Sequence, residues 1–526
     1  MLAGSLPANP SLEQLRKQAK DLRDRVRTGH PKFTGIVREA VPRLAGLPDT
    51  PHAWARFTLA HAQLVVARCC GFASWRRLRG YLVLVETYRR SPHRQPVGAD
   101  GDLAHAFLQL ACLSGRSSLV AGTGGDADHV ARPARARELL AAHPDLASAT
   151  IYTAAAVGDV ATARALLAAD PASANREGGP YRWPPLLYLA LSRLDSAAPG
   201  HSTLEVARLL MAHGADPNAG FLSDGEPPPV TALSGAFHGH RDPVNQPAPA
   251  DGLALARLLL DGGANPNDPR AVDNACGYPY DDDGLDLLLE YGLGRPGAAD
   301  PWRTRLGPRP GLSSPAELVQ EELRIAAERN LIGRTRLLLR RCTEIGIDVD
   351  TTGHGHHHDR TAHDLAVLAG NTEVADLLAA AGARRRPRNA VDQFVAACLR
   401  ADRATAERLL ASDPALVERA AGTAWPTPLH QAVVLHRPDA VRLLVSVGFP
   451  VDDRRGWPLH TAAVCGRLDI VKLLIELGGD PGVPSVDDSP GQFAPPDSTA
   501  LGWARYSGQH DVVAYLAATL EEPCPR

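Results

Sequence analysis

The sequence predicts an all-α solenoid, a row of stacked helix-turn-helix units with short hairpin loops, preceded by a small helical N-terminal domain. Three observations carry that prediction. TPLHQAVVLHRPDAVRLLVSVGFPVD at 427 is rewritten as WPLHTAAVCGRLDIVKLLIELGGDP at 457, so that Leu429, His430, Ala432, Leu443 and Gly448 recur 30 residues on as Leu459, His460, Ala462, Leu473 and Gly478. About eleven units, several of them degenerate, follow one another from Leu103 onward. The chain of 526 residues is too long for one compact core, and 44% hydrophobic with only 5% aromatic content suits small-residue helix packing.

One unit can be derived from its residues. Thr427 and Pro428 suit a helix start, because a hydroxyl at the N-cap accepts from orphan amides and a proline at the first helical position has no amide to lose. Leu429, Ala432 and Val433 then make one apolar face. Pro438 and Asp439 restart a second helix whose Val441, Leu443, Leu444 and Val447 make another, and Gly448 stands where a left-handed terminus favours glycine. Two short helices cannot bury enough apolar surface to offset their own ordering, so each unit depends on its neighbours.

At these residues the chain resembles the ankyrin repeat family. The stretches 427–451 and 458–482 match parts of T-P-L-H-x-A-A and the (I/V)-V-x-x-L-L that follows, and GADPN at Gly214 to Asn218 and GANPN at Gly263 to Asn267 supply the family's ending. Two departures stand out: the spacing is 30 where the family has about 33, and Trp457 replaces the capping threonine. The resemblance implies a curved stack whose hairpin tips and first helices line a concave surface that binds a protein partner, without enzymatic activity and without a cofactor. The tip residues expected to meet that partner are Trp425, Phe449, Asp452, Asp453, Arg454, Arg455 and Trp457, because aromatic and Arg side chains are the usual anchors.

Taken in order, residues 1–10 form a disordered tail and 11–92 a helical domain. Its first helix begins at Ser11, with Gln14 three places on, and buries Leu12, Leu15, Ala19, Leu22 and Val26. The opposite face, with Arg16, Lys17, Lys20, Arg23, Arg25 and Arg27, reads as solvated. Further helices are expected from Phe33 to Val41, Leu59 to Cys70 and Trp75 to Tyr88, the last capped by Ser74. This leader is similar to the helical segment that precedes ankyrin arrays in a group of bacterial proteins, which implies a bacterial source. A Pro/Gly-rich linker at 93–102 leads into repeats over 103–385, a basic hinge at 386–390, repeats over 391–520 and a tail at 521–526. Insertions at 195–203, 220–229, 241–250, 295–314 and 481–497 interrupt the period and are expected on the partner-facing side.

Composition excludes several chemistries. A formal charge of −3 and a pI near 6.7 exert no global pull on nucleic acid or on a membrane, neither is an expected partner, and nucleic-acid binding through the leader helix and Arg384 to Arg388 is set behind the other readings for that reason. Lysine occurs only at Lys17, Lys20, Lys32 and Lys472, none of them ending a Walker A loop, and no HExxH, GxSxG or dinucleotide fingerprint appears. The eight cysteines form no C-x-x-C pair and read as reduced thiols inside helices, which fits a soluble cytoplasmic protein, as does the lack of a leader peptide or a long apolar run. The alternative is an enzyme or metal-handling protein with its site in the divergent 271–358 region, where His354, His356, His357 and His358 crowd one loop. That loop takes the place of a hairpin tip, and a metal assignment there lacks a fixed second shell. The run YPYDDDGLDLLLE matches a calcium loop at Asp281, Asp283, Gly284 and Glu290 but has Pro279 where an oxygen ligand is required. Recurrent His430 and His460 are expected to tie adjacent hairpins together.

Overall fold

The computed structural model describes residues 6, 11–115, 128–194, 198–239, 242–277, 280–297, 300–307, 312–353, 359–422, 427–452, 457–485, 495 and 497–521. The leader comprises α1 (Leu12–Arg27), α2 (Pro31–Ala40), α3 (Pro51–Trp54), α4 (Leu59–Cys69) and α5 (Trp75–Tyr88). Ser11 Oγ accepts from the Gln14 amide, and Leu15, Ala19, Leu22 and Val26 are the buried stripe of α1. Ser74 caps α5 over the predicted span. These apolar faces meet around Trp54, Phe57 and Phe72.

Helix pairs then stack in chain order: α6 (Leu103–Ala111) with α7 (Arg132–Ala142), α8 (Ile151–Val157) with α9 (Val160–Ala169), α10 (Pro185–Leu191) with α11 (Thr203–Ala212), and α12 (Ala232–Gly235) with α13 (Gly252–Asp261). The row continues with α14 (Pro269–Cys276) and α15 (Asp283–Glu290), a separate α16 (Pro301–Leu306), then α17 (Pro315–Glu328) with α18 (Ile332–Ile345) and α19 (Ala362–Leu368) with α20 (Thr372–Ala380). It ends with α21 (Ala390–Leu399), α22 (Arg403–Ser412) and α23 (Leu416–Ala421), α24 (Pro428–Val434) with α25 (Pro438–Ser446), α26 (Pro458–Val464) with α27 (Leu468–Glu476), and α28 (Ala500–Tyr506) with α29 (His510–Glu521). This is an all-α helical-repeat fold, with eleven pairs among the described residues.

The core is shared between units. One apolar cluster runs from Phe107 to Ala383, passing through α14 and α15 where the sequence pattern is weakest, and a second runs from Phe394 to Leu516. Where they meet, Arg360 pairs with Asp392 at 2.9 Å, and Arg437 donates to the carbonyls of Ala369 and Leu399 and to Asn371 Oδ1. One guanidinium thus joins three successive units at their helix-to-helix turns.

A small sheet is the departure from pure helix. β1 (Arg89–Arg90) pairs in parallel with β2 (Gly220–Ser223), which pairs antiparallel with β3 (Glu226–Thr231). The junction between the leader and the segment read as a linker is anchored: Ser91 Oγ donates to Asp224 Oδ1 at 2.6 Å, Arg90 pairs with Glu177 at 2.8 Å, and His93, the first linker residue, is buried against Asp224. Tyr88 meets Trp302 edge to face at 4.9 Å, and Val85, Leu222, Trp302, Leu306 and Leu312 form a cluster of their own.

Candidate partner-binding surface

Side-chain ties set the spacing of the hairpins. Asn175 donates to Gly214 O and accepts from the Asp216 amide, Asn218 does the same with Gly263 and Asn265, and Asn267 accepts from the Gly294 amide. Asp350 accepts from the Arg384 amide, and Asp452 from that of Asp480. The residue ending one unit therefore bonds the backbone ending the next. The histidines add a second line. His430 Nδ1 shares a proton with Thr461 Oγ1 at 3.1 Å, and His460 Nε2 bonds Val483 O at 2.8 Å. Burial pushes the His460 imidazole below its ordinary value, favouring the neutral ring that such a bond to a carbonyl can use.

The expected tip residues divide on this scaffold. Trp425, Asp453, Arg454 and Arg455 lie outside the described residues. Asp452 is exposed. Trp457 is half-buried, with φ of +45° and its ring edge to face with His460 at 5.2 Å. As the lost hydroxyl implies, it makes no side-chain cap. Phe449 corrects the expectation: it is only 5% exposed and stacks on Phe394 at 6.3 Å, so its ring belongs to the core and cannot anchor a partner. Thr427 departs too, because it stands at the N-cap but its hydroxyl finds no partner among the described residues.

The insertions also differ from expectation. That at 220–229 and the described part of 295–314 are occupied in holding the leader, through β2, β3 and the α16 tryptophan. The described part of 241–250 turns inward. Asp128, wholly buried, accepts from the Ser114 amide at 2.5 Å, the Gly115 amide at 3.1 Å, Arg132 Nη1 at 3.0 Å and Gln246 Nε2 at 2.6 Å. Arg193 reaches Pro247 O and Gly235 O, and Tyr506 near the end of the chain donates to Asp242. Three insertions thus spend polar and apolar contacts inside the molecule. Sequence reasoning missed these contacts, since Pro- and Gly-rich composition marks a loop without saying what it touches.

In the 271–358 region, Arg334 has no exposed side-chain surface and donates to Asp282 Oδ1 at 2.7 Å, Cys276 O at 2.7 Å and Asp281 O at 2.9 Å. Glu322 is buried 3.9 Å away, and burial pushes its carboxyl up to about 8. Burial likewise raises the Cys276 thiol, and both side chains lie inside the core, out of a substrate's reach. The would-be calcium loop is helical from Asp283, with Glu290 paired to Arg257 at 2.8 Å, and it cannot wrap an ion. His354 to His358 lie outside the described residues, and His363 is buried with its imidazole lowered by desolvation. Among the described residues no three His, Cys, Asp or Glu side chains gather as metal ligands.

No curated protein matches the chain. The family model described as ankyrin repeats (3 copies) matches residues 394–485, the stretch from α21 to the hairpin after α27. The doubly written pattern at 427 and 457 falls within it, and ankyrin repeats are therefore present in this chain, built as the helix pairs and histidine-tied hairpins just described.

Proposed function

We propose that the chain is a non-enzymatic scaffold for protein–protein interaction, binding its partner on the concave or hairpin-tip face of the ankyrin array. Ankyrin repeats generally mediate such interaction. The observation that carries the reading is the line of Asn, Asp and His ties, which hold the ends of successive units at a set spacing before any partner arrives. Preorganised loops lose less conformational freedom on binding. The reading places the contact at 452–457, with Asp452, Asp453, Arg454, Arg455 and Trp457, and with Trp425 from the preceding tip. It divides the chain into a leader over 11–92 and two sub-arrays over 103–385 and 391–520, and it places the protein in the cytoplasm. No described helix is long and apolar enough to cross a membrane, and the described cysteines are free thiols, as a reducing compartment requires.

The test replaces Arg454 and Trp457 together by alanine and compares the proteins captured from the native host with those captured by the parent chain. The proposal expects loss of a specific captured protein with unchanged thermal unfolding. An unchanged captured set ends the case for this patch.

A further inference from the structure

The chain-wide charge, on which the expectation of no nucleic-acid partner rests, conceals two opposed halves. Residues 11–90 carry sixteen Lys and Arg against six Asp and Glu, a formal +10, so the rest of the chain carries −13 of the total −3. Three of the four lysines of the whole protein are among them. The acids do little to neutralise this excess: Asp24, Asp49 and Glu86 pair with Arg23, Arg38 and Arg89, while Arg90 reaches out of the leader to Glu177. Arg16, Lys17, Lys20, Arg76, Arg77 and Arg79 are exposed, with no ion pair among the described residues.

These cations are arranged. Arg16 and Lys20 share one helix flank with Arg23, which Asp24 pairs, and Arg27, at the i, i+4, i+7, i+11 spacing, a stripe about 16 Å long at 1.5 Å per residue. Arg27 Nε donates to Phe57 O just ahead of α4, and α4 packs along α1, so α4 runs back toward the start of α1. The start of α5, with Arg76, Arg77 and Arg79, therefore comes to the end of the bundle from which α1 sets out. The leader's apolar edge, Val85 and Tyr88, is turned to the array.

We propose that the leader is a docking surface for the sugar-phosphate backbone of double-helical nucleic acid, read through charge and not through sequence. Phosphate contacts by Arg and Lys supply affinity without base recognition. The leader's Phe, Trp and Tyr side chains are buried or half-buried, which leaves none of them as an open platform for stacking unpaired bases and favours a duplex over a single strand. The stripe of Leu15, Ala19, Leu22 and Val26 is spent on the leader's own core, so α1 has no free apolar face to sink into a lipid interface.

The experiment measures binding of the full chain to a labelled random-sequence duplex of about 30 base pairs across salt concentrations. Six phosphate contacts predict a fall of about 10³-fold in affinity between about 50 and 200 mM salt. Arg16→Glu, Lys17→Glu and Lys20→Glu combined are expected to weaken binding at least about tenfold and to flatten the log–log slope by about 2.7. Arg76→Glu with Arg77→Glu on the other helix is expected to act in the same direction, and Arg384→Glu with Arg385→Glu in the array to have no effect; circular dichroism reports whether each variant keeps its helices. Absence of duplex binding at about 50 mM salt, equal binding by both leader variants and the parent, or retention on phosphatidylglycerol vesicles with none on the duplex overturns the proposal. So does salt-sensitive self-association through the leader in place of duplex binding.

Discussion

Glu322→Gln is the sharpest perturbation of the array. Glu322 lies on α17, buried, with Oε2 3.9 Å from an Arg334 whose stronger bonds go to Asp282 and to two carbonyls. Burial raises its carboxyl from 4.5 to about 8, so between those values the folded chain holds a proton that the unfolded chain has lost. Stability must then fall as pH rises through that window, and level off above it. At 1.36 kcal/mol per unit the cost is about 3 kcal/mol at pH 7 and about 5 kcal/mol above pH 8. Glutamine keeps the shape, stays neutral at every pH, and leaves Arg334 its closest partners. The variant is therefore expected to match the parent near pH 4.5 and to exceed it by about 1 to 3 kcal/mol at pH 7, with glutamine's extra donors taking back part of the gain. Stacked units need not unfold in one step, so the assay is hydrogen exchange by mass spectrometry on peptides from α17 and α18, corrected for intrinsic rates. A parent-to-variant difference that stays constant from pH 5 to 8.5, or a variant less protected at the alkaline end, refutes the reasoning.

Other outcomes follow from the same contacts. Phe449→Ala should cost about 3 to 5 kcal/mol in thermal or urea unfolding, because it removes a core ring stacked on Phe394. A stable Phe449→Ala variant that loses its partner instead would restore Phe449 to the binding face. Asn218→Ala removes two ties to the next unit, at 3.0 and 2.9 Å, and should cost about 1 to 2 kcal/mol, read as faster exchange in α12 and α13. Trp302→Ala should empty the cluster that holds Val85, Tyr88 and Leu222, and limited proteolysis should then cut faster between residues 91 and 101, with the array's own resistance unchanged.

The period of 30 residues, the alternation of two apolar faces, the Ser74 cap and the left-handed Gly448, at φ +111°, were all legible in the sequence. Each is a rule between residues within one unit or between adjacent units, where spacing along the chain is also spacing in space. The role of His430 and His460 was legible for the same reason, since their partners sit one unit away. The candidate site was legible only as a place on the repeat: its tips could be located, but which of their side chains face outward could not. Trp302 meets the leader, and Asp242 meets Tyr506 of the last unit, several units further on. Those meetings depend on the small rotation between neighbouring units, summed over several of them. The period does not encode that rotation, so the tertiary structure alone decided which insertions hold the molecule together.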